Sequence, residues 1–96
     1  MQEESKSGQR WVKCIVRRGL FASERAVVIE LPSGKVSAMV DVSDVRMSGD
    51  LPDGEPVEGF VRVRIVESKG GSYLVDLPQP MFGRGSRLLV PATMFG

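Results

Sequence analysis

The sequence predicts an all-β protein: a small antiparallel barrel or rolled sheet of about six strands, built as two pseudo-duplicated three-stranded halves. Three observations support this prediction. Short runs rich in β-branched residues alternate with turn residues, no window keeps a helical period over several turns, and segments of the first half recur in the second. The chain of 96 residues allows one core, because domains usually contain about 100–150 residues.

The predicted strands follow one another at short intervals. They cover residues 10–18, 25–31, 35–42, 59–67, 72–77 and 86–90. Glycine-containing turns separate several of them at 33–34, 69–71 and 83–85, since tight turns need the positive φ angles that glycine adopts freely. We expect a short helical turn at 43–46. The connection 47–58, which contains two prolines, is predicted to join the two halves.

The N-terminal segment and the single cysteine indicate the cellular location of the protein. The polar start lacks the apolar segment of a secretory signal, so we predict a disordered tail over 1–9 and one β-barrel domain over 10–96. No apolar run is long enough for a membrane span. Cys14 is the only cysteine, whereas small secreted domains usually carry disulfides. We therefore expect a cytoplasmic protein in which Cys14 is a small buried hydrophobe.

Alternation of apolar and polar residues assigns the strand faces, because successive side chains of a strand point to opposite sides. The first strand is ambiguous, since both of its faces carry apolar residues. The residues predicted to be buried in the other strands are Val27, Ile29, Leu31, Val36, Ala38, Val40, Val42, Val61, Val63 and Ile65.

The two halves, residues 10–46 and 59–95, contain matching segments. The aligned pairs are Trp11–Cys14 with Phe60–Val63, Val28–Pro32 with Leu74–Pro78, and Ala38–Val40 with Leu88–Val90. Both second-strand segments end in an acidic residue, leucine and proline, and proline ends a strand because it has no N–H to donate. The pattern favours a duplication. The alternative is that both halves need the same strand terminator.

The residues available for catalysis are few. The chain has no histidine, which removes the commonest general base and the commonest metal ligand. Paired Asp and Glu residues occur in predicted turns and loops, where carboxylates are ordinarily solvated. The glycine-rich turns do not lead into a helix, as a phosphate-binding loop must. We therefore predict a protein that is not an enzyme and that uses no metal and no cofactor.

Apolar residues in predicted loops have two interpretations, of which burial is favoured. They are Leu20, Phe21, Met81, Phe82 and Phe95. Buried, they would plug the ends of the barrel; exposed, they would form a patch for another protein or for a second copy. The leading prediction is a non-catalytic binding module, either a protein-interaction domain or a small subunit of an assembly.

A second candidate surface combines aromatic and basic residues. If the first strands of the two halves are neighbours, their outward side chains share one face, on which bases stack on rings while cations contact phosphates. This alternative predicts a weak single-stranded RNA- or DNA-binding module. Its residues are Trp11, Lys13, Arg17, Phe60, Arg62, Arg64 and Tyr73. The net charge of +1 provides no general attraction to nucleic acid or to membranes.

The range 54–65, followed by 71–77, resembles the opening hairpin of S1-type oligonucleotide-binding (OB) barrels. The resemblance implies an RNA-binding face that includes Phe60, Arg62 and Tyr73. It is confined to these two segments, and no helical segment joins the later strands as it does in that family. Small SH3-like barrels match the strand rhythm equally well, so SH3-like and OB-like topologies both remain open.

Overall fold

A computed structural model describes residues 9–47 and 55–96 of the chain. The strands are β1 (Gln9–Arg18), β2 (Glu24–Leu31), β3 (Gly34–Asp41), β4 (Val45–Met47), β5 (Val57–Lys69), β6 (Ser72–Asp76) and β7 (Arg87–Pro91). Within the described ranges, short 3-10 turns cover Val42–Asp44 and Ala92–Met94. The predicted all-β class is confirmed. The helical turn expected over 43–46 is found at Val42–Asp44, and the prediction is wrong at Val45 and Arg46, which begin β4.

Six strands form one antiparallel sheet in the order β3-β2-β1-β5-β6-β7, and the short β4 pairs with β5. The sheet curls into a half-barrel. Isolated bridges join Ala38 to Met81 and Val12 to Phe95. The first ties the edge strand β3 to the connection between β6 and β7, and the second ties the C-terminal segment to β1. If the sheet were flat, its inner apolar face would be exposed to water. Curling hides this face.

The pairing of β1 with β5 lies at the centre of the sheet. Val12 pairs with Val61, Trp11 with Arg62, and Lys13 with Phe60. Because the two strands belong to the two predicted halves, this ladder is where the halves meet.

The core occupies the inner side of the curled sheet. In β1 the buried residues are Val12, Cys14 and Val16, which resolves the ambiguity of the first strand and turns Trp11 outwards. The other buried hydrophobic residues are Val27, Ile29, Ala38, Val40, Val61, Val63, Val75, Leu77, Met81, Leu88 and Val90.

Strand ends account for the buried positions that alternation predicted incorrectly. Val42 is exposed because β3 ends at Asp41 and a 3-10 turn with a different period follows. A register shift lies between Ile65 and Glu67, and Ile65 is only half-buried. Leu31 and Val36, on either side of the β2–β3 turn, are also half-buried.

The predicted alignment of the second strands of the two halves is displaced by two residues. Val27 pairs with Ala38, and Val75 pairs with Leu88. With Ala38 and Leu88 as counterparts, Val75 corresponds to Val27 and not to Ile29. Burial agrees, since Ile29 and Leu77 are both in the core. The two Leu-Pro pairs therefore occupy different positions in their ladders.

Some predictions fall on residues outside the described ranges. Residues 1–8 of the predicted tail lie there, whereas Gln9 already begins β1. Residues 48–54 of the predicted joint lie there as well, while its two ends belong to β4 and β5. Within 9–47 and 55–96, no helix is long and apolar enough to cross a membrane.

Candidate functional site

The outer face of β1 and β5 brings together the main residues of the predicted aromatic and basic surface. They alternate with the buried residues Val12, Cys14, Val61 and Val63, so Trp11, Lys13, Phe60 and Arg62 point away from the core. Direct pairing places Trp11 opposite Arg62 and Lys13 opposite Phe60. The predicted surface required the first strands of the two predicted halves to be neighbours. These strands are β1 and β5, and they pair with each other.

Both aromatic rings of this face are in contact with the chain itself. The Arg46 guanidinium carbon lies 4.0 Å from the centroid of the Trp11 ring, which is the distance of a cation–π contact. Gly96 packs so closely on the Phe60 ring that a Cβ would have no room there. The sequence provided no signal for Arg46, because its position depends on the pairing of β4 with β5.

Two arginines of this face are bound to aspartates. Arg62 forms an ion pair with the buried Asp44, and its Nε donates to Oδ1 at 3.1 Å. Arg64 donates to Oδ2 of Asp76 at 3.1 Å, and Arg87 donates to Oδ1 of the same carboxylate at 3.0 Å. Arg62, Asp44, Arg64 and Asp76 border a cleft of about 310 Å³, whose charged side chains are therefore already paired with one another.

The remaining residues of the predicted nucleic-acid surface are Arg17 and Tyr73. Arg17 is exposed on β1, on the same side as Lys13 but four residues further along the strand, opposite Ala26. Tyr73 pairs with the buried Val90, so it lies on the core side of the sheet. Its ring meets that of Phe95 edge-on at 5.3 Å between centroids. Tyr73 therefore does not share the outer face with Phe60.

The five apolar loop residues divide into two groups. Met81 is buried, and Phe95 is half-buried against the core, so these two close the open side of the half-barrel. The loop that carries Met81 is joined to β3 by the backbone bridge between Met81 and Ala38. The other three are exposed, by 83% for Leu20, 67% for Phe21 and 65% for Phe82.

The exposed loop residues stand on ordered backbone. In the β1–β2 turn, the Gly19 amide donates to the carbonyl of Glu24 at 3.2 Å, and the Glu24 amide donates to the carbonyl of Phe21 at 2.9 Å. A Cβ on Gly19 would lie 2.6 Å from the Cβ of Glu24, so the turn requires glycine there. On the other loop, the Phe82 amide donates to the carbonyl of Ser37 at 2.9 Å.

A groove of about 640 Å³ separates the end of β3 from the loop that carries Phe82. The two segments meet at the bridge between Ala38 and Met81. The residue that precedes Met81 in the loop is Pro80, which has no N–H and therefore cannot extend the pairing. The groove therefore opens between Pro80 on one side and Met39 on the other.

Nothing in the described parts of the chain forms a cluster of His, Cys, Asp and Glu that could hold a metal ion. Burial raises the pKa of the Cys14 thiol from 9.0 to about 12. Because the thiolate is the nucleophilic form, this thiol is not reactive at neutral pH.

The fold and these surfaces define a small all-β protein with a curled antiparallel sheet, an outer face with paired charges and an apolar loop region beside a groove. Comparison with family models, with curated proteins and with solved structures finds no match in any of the three.

Proposed function

We propose that this protein is a non-catalytic protein-binding module that binds through one surface, the loop patch. The loop patch consists of Leu20, Phe21, Phe82 and the groove between β3 and the Phe82 loop. The observation that carries the proposal is that three large apolar side chains, each about two-thirds exposed or more, belong to two loops that border the same groove. Burying one such side chain contributes about 1.5–3 kcal/mol.

The backbone hydrogen bonds of these loops support a role in binding. Leu20 and Phe21 are carried by a turn closed by two backbone hydrogen bonds, and Phe82 by a loop bonded to β3. A partner would therefore have little backbone to immobilise, which lowers the entropic cost of association. The non-catalytic character is supported by the absence of histidine from the sequence and by the burial of Cys14.

Site-specific photo-crosslinking in cells of the source organism tests this function. A photoreactive phenylalanine analogue in place of Phe82 should give discrete crosslinked protein adducts. The same analogue at Leu89, which is exposed on β7 and does not line the groove, is the control. The proposal would be refuted if the analogue gave the same crosslinked adducts at both positions. It would also be refuted if the analogue at Phe82 gave no adduct.

A second candidate function, single-stranded nucleic-acid binding, is favoured by one observation: β1 and β5 place Trp11, Lys13, Phe60 and Arg62 on one face. Two observations weigh against it. The Trp11 ring is covered by Arg46, and Arg62 is bound to Asp44. Rings and cations that are already paired are less able to stack on bases or contact phosphates.

Fluorescence of the single tryptophan tests this candidate. Titration with short single-stranded RNA or DNA should change Trp11 emission, and the affinity should fall with salt because counterions are released. The Lys13→Ala variant should bind more weakly than an Arg18→Ala control. An unchanged emission spectrum across the titration would rule out the outer face as the site.

We also propose that the two halves are pseudo-duplicates. Each half runs through three strands and a 3-10 turn before its last segment reaches the first strand of the other half. At the end of the first half, Val45 pairs with Val61 of β5, and at the end of the second half, Phe95 bridges to Val12 of β1. This correspondence supports the duplication, whereas the SH3-like and OB-like alternatives gain no support from it.

A further inference from the structure

We infer that the partner of the loop patch is a second copy of this chain, and that the two copies pair about a two-fold axis running along the groove. The inference rests on the proposed function, because it uses the same surface. A two-fold interface requires a surface that is complementary to itself. The loop patch meets this requirement in its apolar residues and in its charge.

The two sides of the groove differ in charge and resemble each other in apolar character. One side, the acidic rim, contains Glu24 and Asp41, and Phe21 stands in the adjoining turn. One oxygen of the Glu24 carboxylate is buried, and Arg25 donates to backbone carbonyls of the same turn, so the exposed Asp41 presents the acidic charge. The other side, the basic rim, is lined by uncharged residues that include Phe82, and its charge comes from the exposed Arg84, which follows in the loop. Each rim therefore offers one large apolar side chain and one exposed charge, negative on the first rim and positive on the second.

A two-fold rotation about the groove direction places the acidic rim of one copy opposite the basic rim of the other. Phe21 then faces Phe82 of the partner subunit, and Asp41 faces Arg84 of the partner subunit. The same contacts recur on the other side of the axis, as in any isologous interface. Between them lies Met39, whose flexible side chain adapts to irregular apolar surfaces.

The charges needed for this pairing are present at neutral pH. The carboxylate of Asp41 accepts hydrogen bonds from the hydroxyl and the backbone amide of Ser43, which lower its pKa. It therefore remains ionised. The formal net charge of the chain is only +1, so two copies repel each other little at long range.

Sedimentation equilibrium of the full chain, over a range of concentrations, provides the first test. Wild type should show a reversible monomer–dimer equilibrium. Phe82→Ser should raise the dissociation constant at least about tenfold, as loss of a buried aromatic contact does. The matched control is Leu89→Ser, at another exposed hydrophobic residue that does not line the groove, and it should dimerise like wild type.

Charge reversal across the axis provides the second test. Asp41→Lys and Arg84→Glu should each weaken the dimer, because each places like charges opposite one another twice. An equimolar mixture of the two variants should associate again, since the mixed dimer has opposite charges at both contacts. Lys69→Glu, the same change of charge at an exposed position that does not line the groove, should have no effect. If Asp41→Lys does not fold, Asp41→Asn keeps an oxygen for Ser43 and removes the charge alone.

The outcomes separate this inference from the proposed function. A wild type that stays monomeric at every concentration, or a mixture that does not associate, overturns the second copy as partner. The proposed function still stands if the photoreactive group at Phe82 then captures another protein while the Leu89 control does not. The absence of any specific adduct at Phe82 overturns both.

Discussion

Arg46 places its guanidinium 4.0 Å from the centroid of the Trp11 ring. Arg46 belongs to β4 and Trp11 to β1, and these strands pair with opposite edges of β5. The side chain of Arg46 therefore reaches across β5, past Phe60, to cover the only tryptophan of the chain. This contact ties the short β4 to the outer face of the central strands.

Removing that cation should expose the indole ring to water. Arg46→Ala should shift Trp11 fluorescence emission to longer wavelength and lower the free energy of unfolding by about 0.5–1 kcal/mol, the contribution of a cation–π contact at an exposed site. Emission spectra and urea unfolding measure the two effects. Arg17→Ala removes an exposed arginine from the same sheet and is the control. An emission maximum that stays unchanged in Arg46→Ala would contradict the contact.

Met81 and Phe82 are adjacent in the chain but should respond in opposite ways to truncation. Met81 is 2% exposed and Phe82 is 65% exposed. Met81→Ala leaves a cavity and should cost about 2–5 kcal/mol of stability, whereas Phe82→Ser should stay within about 0.5 kcal/mol of wild type. Urea unfolding of both variants, at a concentration where the protein is monomeric, makes the comparison. A loss of several kcal/mol in Phe82→Ser would show that the ring packs in the core.

Gly59 is required where β4 packs against β5. A Cβ at this position would lie 2.5 Å from the carbonyl oxygen of Arg46, so Gly59→Ala must displace backbone and should cost about 1–3 kcal/mol. Gly71→Ala adds the same methyl group where no atom lies within 4 Å and φ is not positive. It should leave stability nearly unchanged. Equal melting temperatures for the two variants would mean that β4 does not occupy this position.

Cys14 should make stability depend on pH above neutrality. Its thiol has a pKa of about 12 in the folded protein against 9.0 for the ordinary group, so the unfolded chain ionises first. The stabilisation is complete below about pH 9 and is lost as the pH rises from 9 towards 12. Urea unfolding across this range should show a decline that is smaller in Cys14→Ala, which keeps the site apolar. An identical pH dependence in both proteins would refute the assignment.

Native Cys14 should also resist a thiol-specific reagent. The buried thiol reacts only after the core opens, whereas the unfolded chain reacts at once. Labelling rates with and without urea, read by absorbance, provide the check. Rapid labelling of the native protein would show that the inner face of β1 is accessible.

Local patterns predicted the longer strands and most of their faces, but not the short β4, which was predicted as a turn and the start of a connection. Val61 and Val63 are buried as alternation predicted, and Val27 and Ile29 likewise. These predictions need only the two-residue period of a strand, which each segment carries by itself. The same rule was wrong at Val42, where the 3-10 turn replaced the strand.

By itself, the sequence determined that the chain is all-β and curled, and which residues could form a surface. Only the tertiary structure decided that Met81 is buried while Phe82 is exposed, and that Arg46 covers Trp11. The burial of Met81 depends on its loop reaching β3, where Met81 bridges to Ala38, and the contact of Arg46 depends on β1 and β4 pairing with the same strand. The reason is that the alternation typical of a strand involves residues close together in the sequence, whereas these contacts join segments far apart in the chain.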